Sequence, residues 1–427
     1  MNNKMWNLIP GLALGLMSAS MPAQAQLKPE TTKAKLGYIA LTDFSPLAIA
    51  KEKGFFAKYG VPDVEVIKQA SWGSTWDNLE LGSDRGGIDG AHILSPMPYG
   101  LHTGLITKGN VPLPMNVLCR LSLNGQAISV HNKFKAAKLG LDASPLKALA
   151  KAELSKGRVL TVAMTFPFGT HNFWVRYWLA AAGIDPDTDL STLTIPPPQM
   201  VANMRVGTMD IFCVGEPWNQ QLVNQKLGYS ACATQDIWKD HPEKCFAMRA
   251  DWVEKNPQAA RAILCAIMEA QVWCEKDENK AELARIVAQK QWINCKVEDL
   301  LPRLQGILDY GDGRKVMDGK YKMTFWARQA SFPFKSHDIW FLAEARRWGF
   351  FPKGVDYEKL VSEVNRADLW RECAKIIGQE AMIPASDSRG IETLFDGVTF
   401  DPKDPEGYLA KLKIKNLEGA KTGLKAK

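Results

Sequence analysis

The sequence predicts an α/β protein of two lobes, each a mostly parallel sheet with flanking helices, with a ligand bound at strand ends. At 427 residues the chain is too long for one ordinary hydrophobic core. Strand and helix patterns alternate along much of it, as they do in parallel sheets. Several apolar strands also stop at Gly or Pro, and ligands of open α/β sheets usually bind at such strand ends.

Composition narrows the class of protein. The chain is 46% hydrophobic and 23% charged, which is ordinary for a soluble globular protein. The formal net charge of +7 is modest, and basic residues concentrate only in the C-terminal tail, residues 409–427. Nucleic acid is therefore not an expected partner.

The first residues, 1–25, have the pattern of a signal peptide. A positively charged start, MNNK, precedes a mostly apolar stretch from Leu8 to Met21, and Ala23-Gln24-Ala25 fits the small-x-small cleavage pattern. Cleavage near Ala25 would export the mature chain to the periplasm. The first cysteine is Cys119, so no cysteine is placed to carry a lipid anchor.

The eight cysteines show no C-x-x-C motif, and no His pair has zinc-like spacing. We therefore expect no metal site. Cys265 and Cys274 fall nine residues apart on one predicted helix, too far along its axis to bridge each other. Cys213 is typical of a buried small hydrophobe. Pairing of the other cysteines stays open.

The first lobe begins with a βαβ unit: a strand at 36–41, a helix from Ser45 and a strand at 64–67. The loop after the second strand contains Trp72. Its ring could lie against a flat ligand or donate its indole N–H, or it could simply cover the edge of the lobe.

Two extended runs within residues 110–130 indicate a crossing into the second lobe. Gln126 lies in this crossover, where its amide offers donors and an acceptor, unless it belongs to a surface turn. We predict that lobe 1 comprises residues 26–128 and 229–427 and lobe 2 residues 129–228. The chain would return at Tyr229, and an extended helical C-terminal region would pack on lobe 1.

The second lobe contains the most informative stretch, VLTVAMTFPFGTHN at 159–172. An apolar strand breaks at Pro167 and Gly169, Thr170 is a candidate cap, and a helical pattern follows. His171 falls in the first turn, where helix N–H groups favour an anion, although the position also fits a solvated first-turn histidine. A later strand, DIFCV, ends at Gly215, whose N–H could meet a ligand.

Eight runs resemble one family, the nitrate- and bicarbonate-binding proteins of ABC importers. The match is collinear from about Lys35 to Gly349. The runs are KQASWG (68–73), GIDGAHIL (87–94), SLNGQ (122–126), AMTFPFGTH (163–171), RYWLAAAGIDP (176–186), PPPQMVANMRVGTMD (196–210), FCVGEPWN (212–219) and HPEK (241–244).

The resemblance implies a type II periplasmic-binding-protein fold that holds a small anion between its lobes, needs no cofactor and delivers the anion to a membrane permease and its ATPase. We expect such a protein to be a monomer. The family's ligand-binding positions correspond here to Trp72, Gln126, His171, Gly215 and Lys244. The first four are also suggested by their place in the chain, whereas Lys244 rests on the resemblance alone.

Lys244 bears on which anion binds. The resemblance implies lysine at this position in nitrate binders, and an acidic residue with calcium in bicarbonate binders. A buried monoanion needs a compensating charge, which a lysine supplies. Nitrate or nitrite is therefore favoured over bicarbonate, and nitrate, which only accepts hydrogen bonds, suits a site made of donors. Glu216, a carboxylate, should point away from it.

Alternative functions share the same fold. A bicarbonate-binding protein of the family is one, and a nitrate-sensing regulator is another, although a sensor would lack an export signal. A related pyrimidine-precursor synthase would need a reactive Cys/His cluster that the sequence does not show. The chain departs from the family at Trp76 and at Phe168, where a second glycine is usual, and Phe168 could narrow the pocket or merely cover it.

Overall fold

A computed structural model describes residues 27–417, so the predicted signal peptide lies outside the described residues. Fourteen strands are described in this range. They are β1 (Lys33–Tyr38), β2 (Asp63–Lys68), β3 (Gly90–Leu94), β4 (Met115–Arg120), β5 (Gln126–His131), β6 (Thr161–Met164), β7 (Ser191–Thr194), β8 (Ile211–Gly215), β9 (Gly228–Ala233), β10 (Lys244–Arg249), β11 (Ile307–Asp309), β12 (Lys315–Met317), β13 (Glu392–Thr393) and β14 (Thr399–Phe400).

Helices cover both sheets. They are α1 (Ser45–Glu52), α2 (Phe55–Lys58), α3 (Trp72–Leu81), α4 (Met97–His102), α5 (Pro145–Leu154), α6 (Thr170–Ala181), α7 (Met200–Arg205), α8 (Trp218–Asn224), α9 (Thr234–Ile237), α10 (Ala250–Lys255), α11 (Pro257–Glu275), α12 (Lys280–Val287), α13 (Val297–Leu304), α14 (Lys335–Arg347), α15 (Tyr357–Val364), α16 (Ala367–Ile376) and α17 (Pro405–Lys411).

The two lobes are built on five-stranded sheets of the same topology. Their strand orders are β2-β1-β3-β10-β4 and β7-β6-β8-β5-β9. In each sheet two pairings are parallel and two are antiparallel, because one strand runs against the other four, so each sheet is mostly parallel, as predicted, with one reversed strand. The antiparallel strand is β10 in one sheet and β5 in the other. Each of these strands begins just after the chain has crossed between lobes, and so it runs against its neighbours.

The crossing points differ from those predicted. The predicted boundary at 128/129 falls inside β5, which belongs entirely to the second sheet. Tyr229 lies in β9 and pairs with Val130, so the return to lobe 1 comes after β9 rather than at Tyr229. An apolar run shows that a strand is buried, but not which sheet it joins.

Two predicted helix boundaries also differ from those in the structure. The helix predicted from Ser45 breaks at Gly54, whose φ of 73° is left-handed, and gives α1 and α2. Thr170 was a predicted cap, but Gly169 precedes α6 in extended conformation and Thr170 is its first residue. The predicted start of a helix at Pro257 is confirmed by α11.

The C-terminal helices pack on both lobes. In lobe 1, α11 packs against α1, α2 and α16. Helix α14 instead reaches α6 of lobe 2, where Trp174 stacks on Trp340 with ring centroids 5.0 Å apart. The prediction that this region packs on lobe 1 was therefore incomplete.

Residues 27–417 contain no disulfide bond. All eight cysteines lie in this range, and all of them are free thiols. No group of three or more His, Cys, Asp or Glu in this range is arranged to hold a metal ion. None of its helices combines the length and the apolar character needed to cross a bilayer.

Candidate functional site

The two sheets meet at a buried cluster that contains all five residues singled out from the sequence. Trp72 begins α3, His171 lies in the first turn of α6, and Gly215 ends β8. Gln126 and Lys244 are the first residues of β5 and β10. All five are buried, and the four with side chains have no exposed surface.

The antiparallel strands explain why strand starts join strand ends here. Lys244, at the start of β10, pairs with Leu94 at the end of β3. In the same way Gln126, at the start of β5, pairs with Gly215 at the end of β8. An antiparallel strand places its amino end at the sheet edge where its parallel neighbours have their carboxyl ends, and that edge is where ligands bind.

Hydrogen bonds hold His171 within lobe 2, and Lys244 approaches it from lobe 1. His171 Nε2 lies 2.7 Å from Gln126 Oε1, and His171 Nδ1 lies 2.7 Å from Thr165 Oγ1. The Lys244 ammonium is 3.4 Å from His171 Nε2. The amide oxygen of Gln126 can only accept, so we assign the proton of neutral His171 to Nε2, with Nδ1 accepting from Thr165.

Trp72 and Gly215 complete the donor set. The buried indole N–H of Trp72 has no hydrogen-bond partner among the described residues, and the ring centroid lies 6.0 Å from Lys244 Nζ. Gly215 leaves room for Gln126, because a Cβ there would come 2.7 Å from Gln126 Oε1. A side chain at this position would therefore displace the amide.

Asp43 is a central member of the cluster that sequence reasoning missed. It lies in a 3₁₀ turn, Thr42–Phe44, after β1, and is completely buried. Its Oδ1 accepts from His92 Nε2 at 2.6 Å, and its Oδ2 from Lys244 Nζ at 3.0 Å and Gln126 Nε2 at 3.2 Å. The run LTDFSP follows an apolar strand, so the strand-end rule that selected the other positions could have found Asp43 as well.

These contacts determine the charge of the cluster. Burial alone would raise the pKa of Asp43, but Lys244 and His92 outweigh it and hold that pKa below its usual range. Burial acts against the charge of Lys244, yet Asp43 and Glu243 keep its pKa above the usual value. Asp43 is thus a carboxylate and Lys244 an ammonium, and their charges cancel.

This pairing corrects the sequence argument about Lys244. The charge of Lys244 was expected from the sequence to be available to an anion, whereas Asp43 already compensates it. Glu243 Oε2 lies a further 3.4 Å from Lys244 Nζ, and burial raises the pKa of Glu243. Whatever the protonation state of Glu243, it adds no positive charge to the site.

The nearby histidines are neutral in this arrangement. Burial, reinforced by the charge of Lys244, lowers the pKa of His171 well below its usual value, although Asp43 opposes this. Burial likewise lowers the pKa of His92, against the opposing effect of Asp43. His92 Nδ1 accepts from the Ile39 N–H at 3.4 Å while Nε2 donates to Asp43, so both of its nitrogens have partners.

Glu216 and Phe168 lie outside this set of contacts. Glu216 Oε2 accepts from the Gln220 N–H at 3.1 Å, and Oε1 lies 3.4 Å from Arg303 Nε, so the carboxylate points away as expected. Phe168 packs against Phe173 and Phe351, with ring centroids 6.3 and 6.2 Å away. These contacts make Phe168 a packing residue of the lobe interface.

The lobes are closed over the cluster. The Thr42 N–H donates to the Glu216 carbonyl at 2.7 Å, and Trp218 Nε1 donates to the Ala40 carbonyl at 3.0 Å. Both bonds join the end of β1 in lobe 1 to the end of β8 in lobe 2. Together with the bond between Gln126 and Asp43 they tie the two lobes directly beside the cluster.

The chain matches the model of the NMT1-like family over residues 27–288. It is 59% identical over 390 residues to the nitrate/nitrite binding protein NrtA of Synechococcus elongatus, covering 91% of this chain and 88% of that protein. It is 44% identical over 396 residues to the bicarbonate-binding protein CmpA of the same species, covering 90% and 88%.

A solved structure of similar fold is the periplasmic nitrate-binding protein NrtA from Synechocystis PCC 6803. The TM-score is 0.88 at 55% identity, over 90% of this chain and all of that one. The two lobes and their sheets are thus those of the periplasmic binding proteins. The chain belongs to the NMT1-like family and, within it, to the group of relatives that carry the name NrtA.

Proposed function

We propose that this protein binds nitrate or nitrite between its lobes in the periplasm and delivers it to an ABC-type permease. One observation carries the proposal: donors from both lobes converge on one buried cluster. They are the unpartnered indole N–H of Trp72, the Lys244 ammonium and the amide N–H of Gln126 beside Gly215, and His171 lies next to them. Nitrate accepts hydrogen bonds and donates none, which suits such a set.

The relatives favour nitrate over bicarbonate. The proteins named for nitrate and nitrite binding are 56–59% identical to this chain, whereas those named for bicarbonate binding are 44% identical. The lysine at position 244 also favours nitrate. The family resemblance implies that bicarbonate binders have an acidic residue at this position and bind calcium. Trp72, Gln126, His171, Gly215 and Lys244 remain our proposed ligand residues.

The two-lobed fold suggests how binding is coupled to transport. An anion that contacts both lobes stabilises the closed form only through its better contacts in that form. The permease and its ATPase would then recognise the closed form. A micromolar dissociation constant would correspond to about −8 kcal/mol. We propose that the protein acts as a monomer, without cofactor and without catalysing a reaction.

Titration calorimetry of the chain starting at Gln26 tests the ligand. We expect nitrate to bind tightly, nitrite to be measurable and bicarbonate to give no heat, with or without calcium. Calcium-dependent binding of bicarbonate without a nitrate response would overturn the choice of anion and leave the fold unaffected.

Cell fractionation tests the compartment. The export pattern of residues 1–25 supports a periplasmic protein cleaved near Ala25. Mass spectrometry of the periplasmic fraction should then find a chain that begins at Gln26. An uncleaved cytosolic chain would instead support the nitrate-sensing regulator.

A further inference from the structure

The charge of the candidate site is balanced before any anion is considered. Asp43 and Lys244 form a completely buried ion pair, with Asp43 Oδ2 3.0 Å from Lys244 Nζ. His92 and His171 are neutral, since burial lowers the pKa of both. Glu243 is either neutral or negative. A nitrate ion added to this cluster would leave at least one uncompensated negative charge away from water, which is costly.

The hydrogen bonds of His171 would allow its ring to accept a second proton without changing position. Its Nε2–H donates to Gln126 Oε1 at 2.7 Å, while its Nδ1 accepts from the Thr165 hydroxyl, also at 2.7 Å. A hydroxyl can rotate and accept instead of donating. Protonation at Nδ1 would therefore give an imidazolium whose two N–H groups both keep an acceptor.

The other histidines nearby fit this role less well. His92 Nδ1 faces the N–H of Ile39, a backbone donor that cannot become an acceptor, so a second proton there would set two N–H groups against each other. His241 is occupied by the Pro242 carbonyl at 3.0 Å and the Thr234 hydroxyl at 2.7 Å, away from Gln126 Oε1 and Lys244.

We propose that the site binds one proton together with each anion, and that His171 holds this proton as an imidazolium between Gln126 and Thr165. The inference rests on the proposed function, because it concerns the charge of the nitrate complex. Asp43 is then a specificity-determining residue: by neutralising Lys244 it makes the anion depend on a proton, and it disfavours dianions, which would need two.

The charged and titratable groups around His171 agree with this role. They are Asp43 in the turn after β1, His92 in β3, His241 in the segment before β10 and Lys244 at the start of β10. Glu243 lies beside Lys244. Burial and Lys244 keep His171 neutral in the cluster as described, and Asp43 acts in the opposite sense. A bound anion would add to the effect of Asp43, so the proton arrives with the anion.

The test is calorimetric titration of the wild-type protein with nitrate at pH 7.5 in phosphate, imidazole and Tris buffers. The dependence of the observed heat on the buffer's heat of ionisation gives the number of protons taken up. We expect close to one proton per nitrate, and an affinity that falls up to about tenfold for each pH unit of increase. Binding without proton uptake would overturn this inference alone, whereas no nitrate binding would overturn the proposed function with it.

Two variants locate the proton. Asp43→Asn should bind nitrate with much less proton uptake, because Lys244 then has its charge to offer. Thr165→Val removes the acceptor for Nδ1–H and should reduce both uptake and affinity. His131→Gln, at the far end of β5 from Gln126, is the matched control and should behave as wild type.

Nitrogen NMR of the imidazole gives a readout that a purely structural role would not move. In the nitrate complex of the wild type, both ring nitrogens of His171 should show shifts typical of imidazolium. A neutral His171 in a complex that has taken up a proton would refute its assignment as the proton carrier.

Discussion

Asp43 and Lys244 lie 201 positions apart in the chain, yet Oδ2 of the first is 3.0 Å from Nζ of the second in a site with no solvent exposure. The pair joins the turn after β1 to the start of β10. The ion pair also holds the Lys244 ammonium near Trp72 and His171. The same carboxylate accepts a hydrogen bond from Gln126 and so orients its amide. The lysine proposed to meet the anion is thus positioned by an aspartate.

Replacing Lys244 should abolish nitrate binding. Lys244→Glu would put a third carboxyl beside Asp43 and Glu243, and Lys244→Gln would leave Asp43 without its ammonium. Breaking a buried pair by removing one partner costs about 3–5 kcal/mol, so both variants should also unfold more easily. Calorimetry and thermal unfolding check the two effects separately.

Lys151→Glu is the matched control, because this lysine is exposed on α5. It should keep wild-type affinity. Nitrate affinity retained by folded Lys244→Gln would remove Lys244 from the proposed ligand set.

Gly215→Ala should weaken nitrate binding without unfolding the protein. Its Cβ would lie 2.7 Å from Gln126 Oε1 and 3.1 Å from Leu41 Cδ2, so the amide must move. Overpacking of this kind costs about 1–3 kcal/mol, which corresponds to a loss of roughly tenfold or more if the whole cost falls on binding. Calorimetry measures it. Gly140→Ala, where a Cβ meets nothing within 4 Å, should leave the affinity unchanged.

The rule that ligands bind at the ends of apolar strands explains which residues of the site could be predicted from the sequence. Trp72, His171 and Gly215 each end or follow a strand whose apolar run is visible in the sequence. Asp43 satisfies the same rule and could have been included. Lys244 could not be found in this way, because it starts a strand, and only the antiparallel pairing with β3 brings it to the sheet edge.

The charge balance of the site could not be predicted from sequence. No local pattern links Asp43 to Lys244, since their contact depends on how β10 enters the first sheet. The same limit applies to the lobe boundaries. The apolar run around Tyr229 fits either sheet until its partner, Val130 in β5, is known.

Phe168→Ala should lower the stability of the protein. Phe168 has no exposed surface, packs against Phe173 and Phe351, and lies 3.1 Å from where a Cβ added to Gly100 would be. Large-to-small changes of this kind cost about 3–5 kcal/mol, because the surroundings only partly fill the cavity. Denaturant unfolding measures the loss. Val206→Ala, at a side chain that is 77% exposed, is the control and should change stability by less than about 0.5 kcal/mol.

Acid should destabilise the folded chain through its buried histidines, and His241 allows a test. Burial lowers the pKa of His241 to about 3, against the hydrogen bond to the Pro242 carbonyl and helped by Lys244. The folded state then holds neutral imidazole while the unfolded chain, with a pKa of about 6.5, takes up a proton. Its contribution to stability is complete above pH ~6.5 and is lost as pH falls towards 3, at about 1.4 kcal/mol per pH unit.

His241→Gln should therefore reduce the slope of unfolding free energy against pH between pH 6.5 and 4.5. The reduction should correspond to up to about one proton taken up on unfolding. Denaturant unfolding at several pH values measures the slope. Thr234→Val removes the hydroxyl that lies 2.7 Å from His241 Nε2 but keeps the imidazole. It should lower stability across the pH range and retain most of the slope, because the buried neutral ring that excludes the proton is still present. An unchanged slope in His241→Gln would mean that His241 takes up its proton without unfolding.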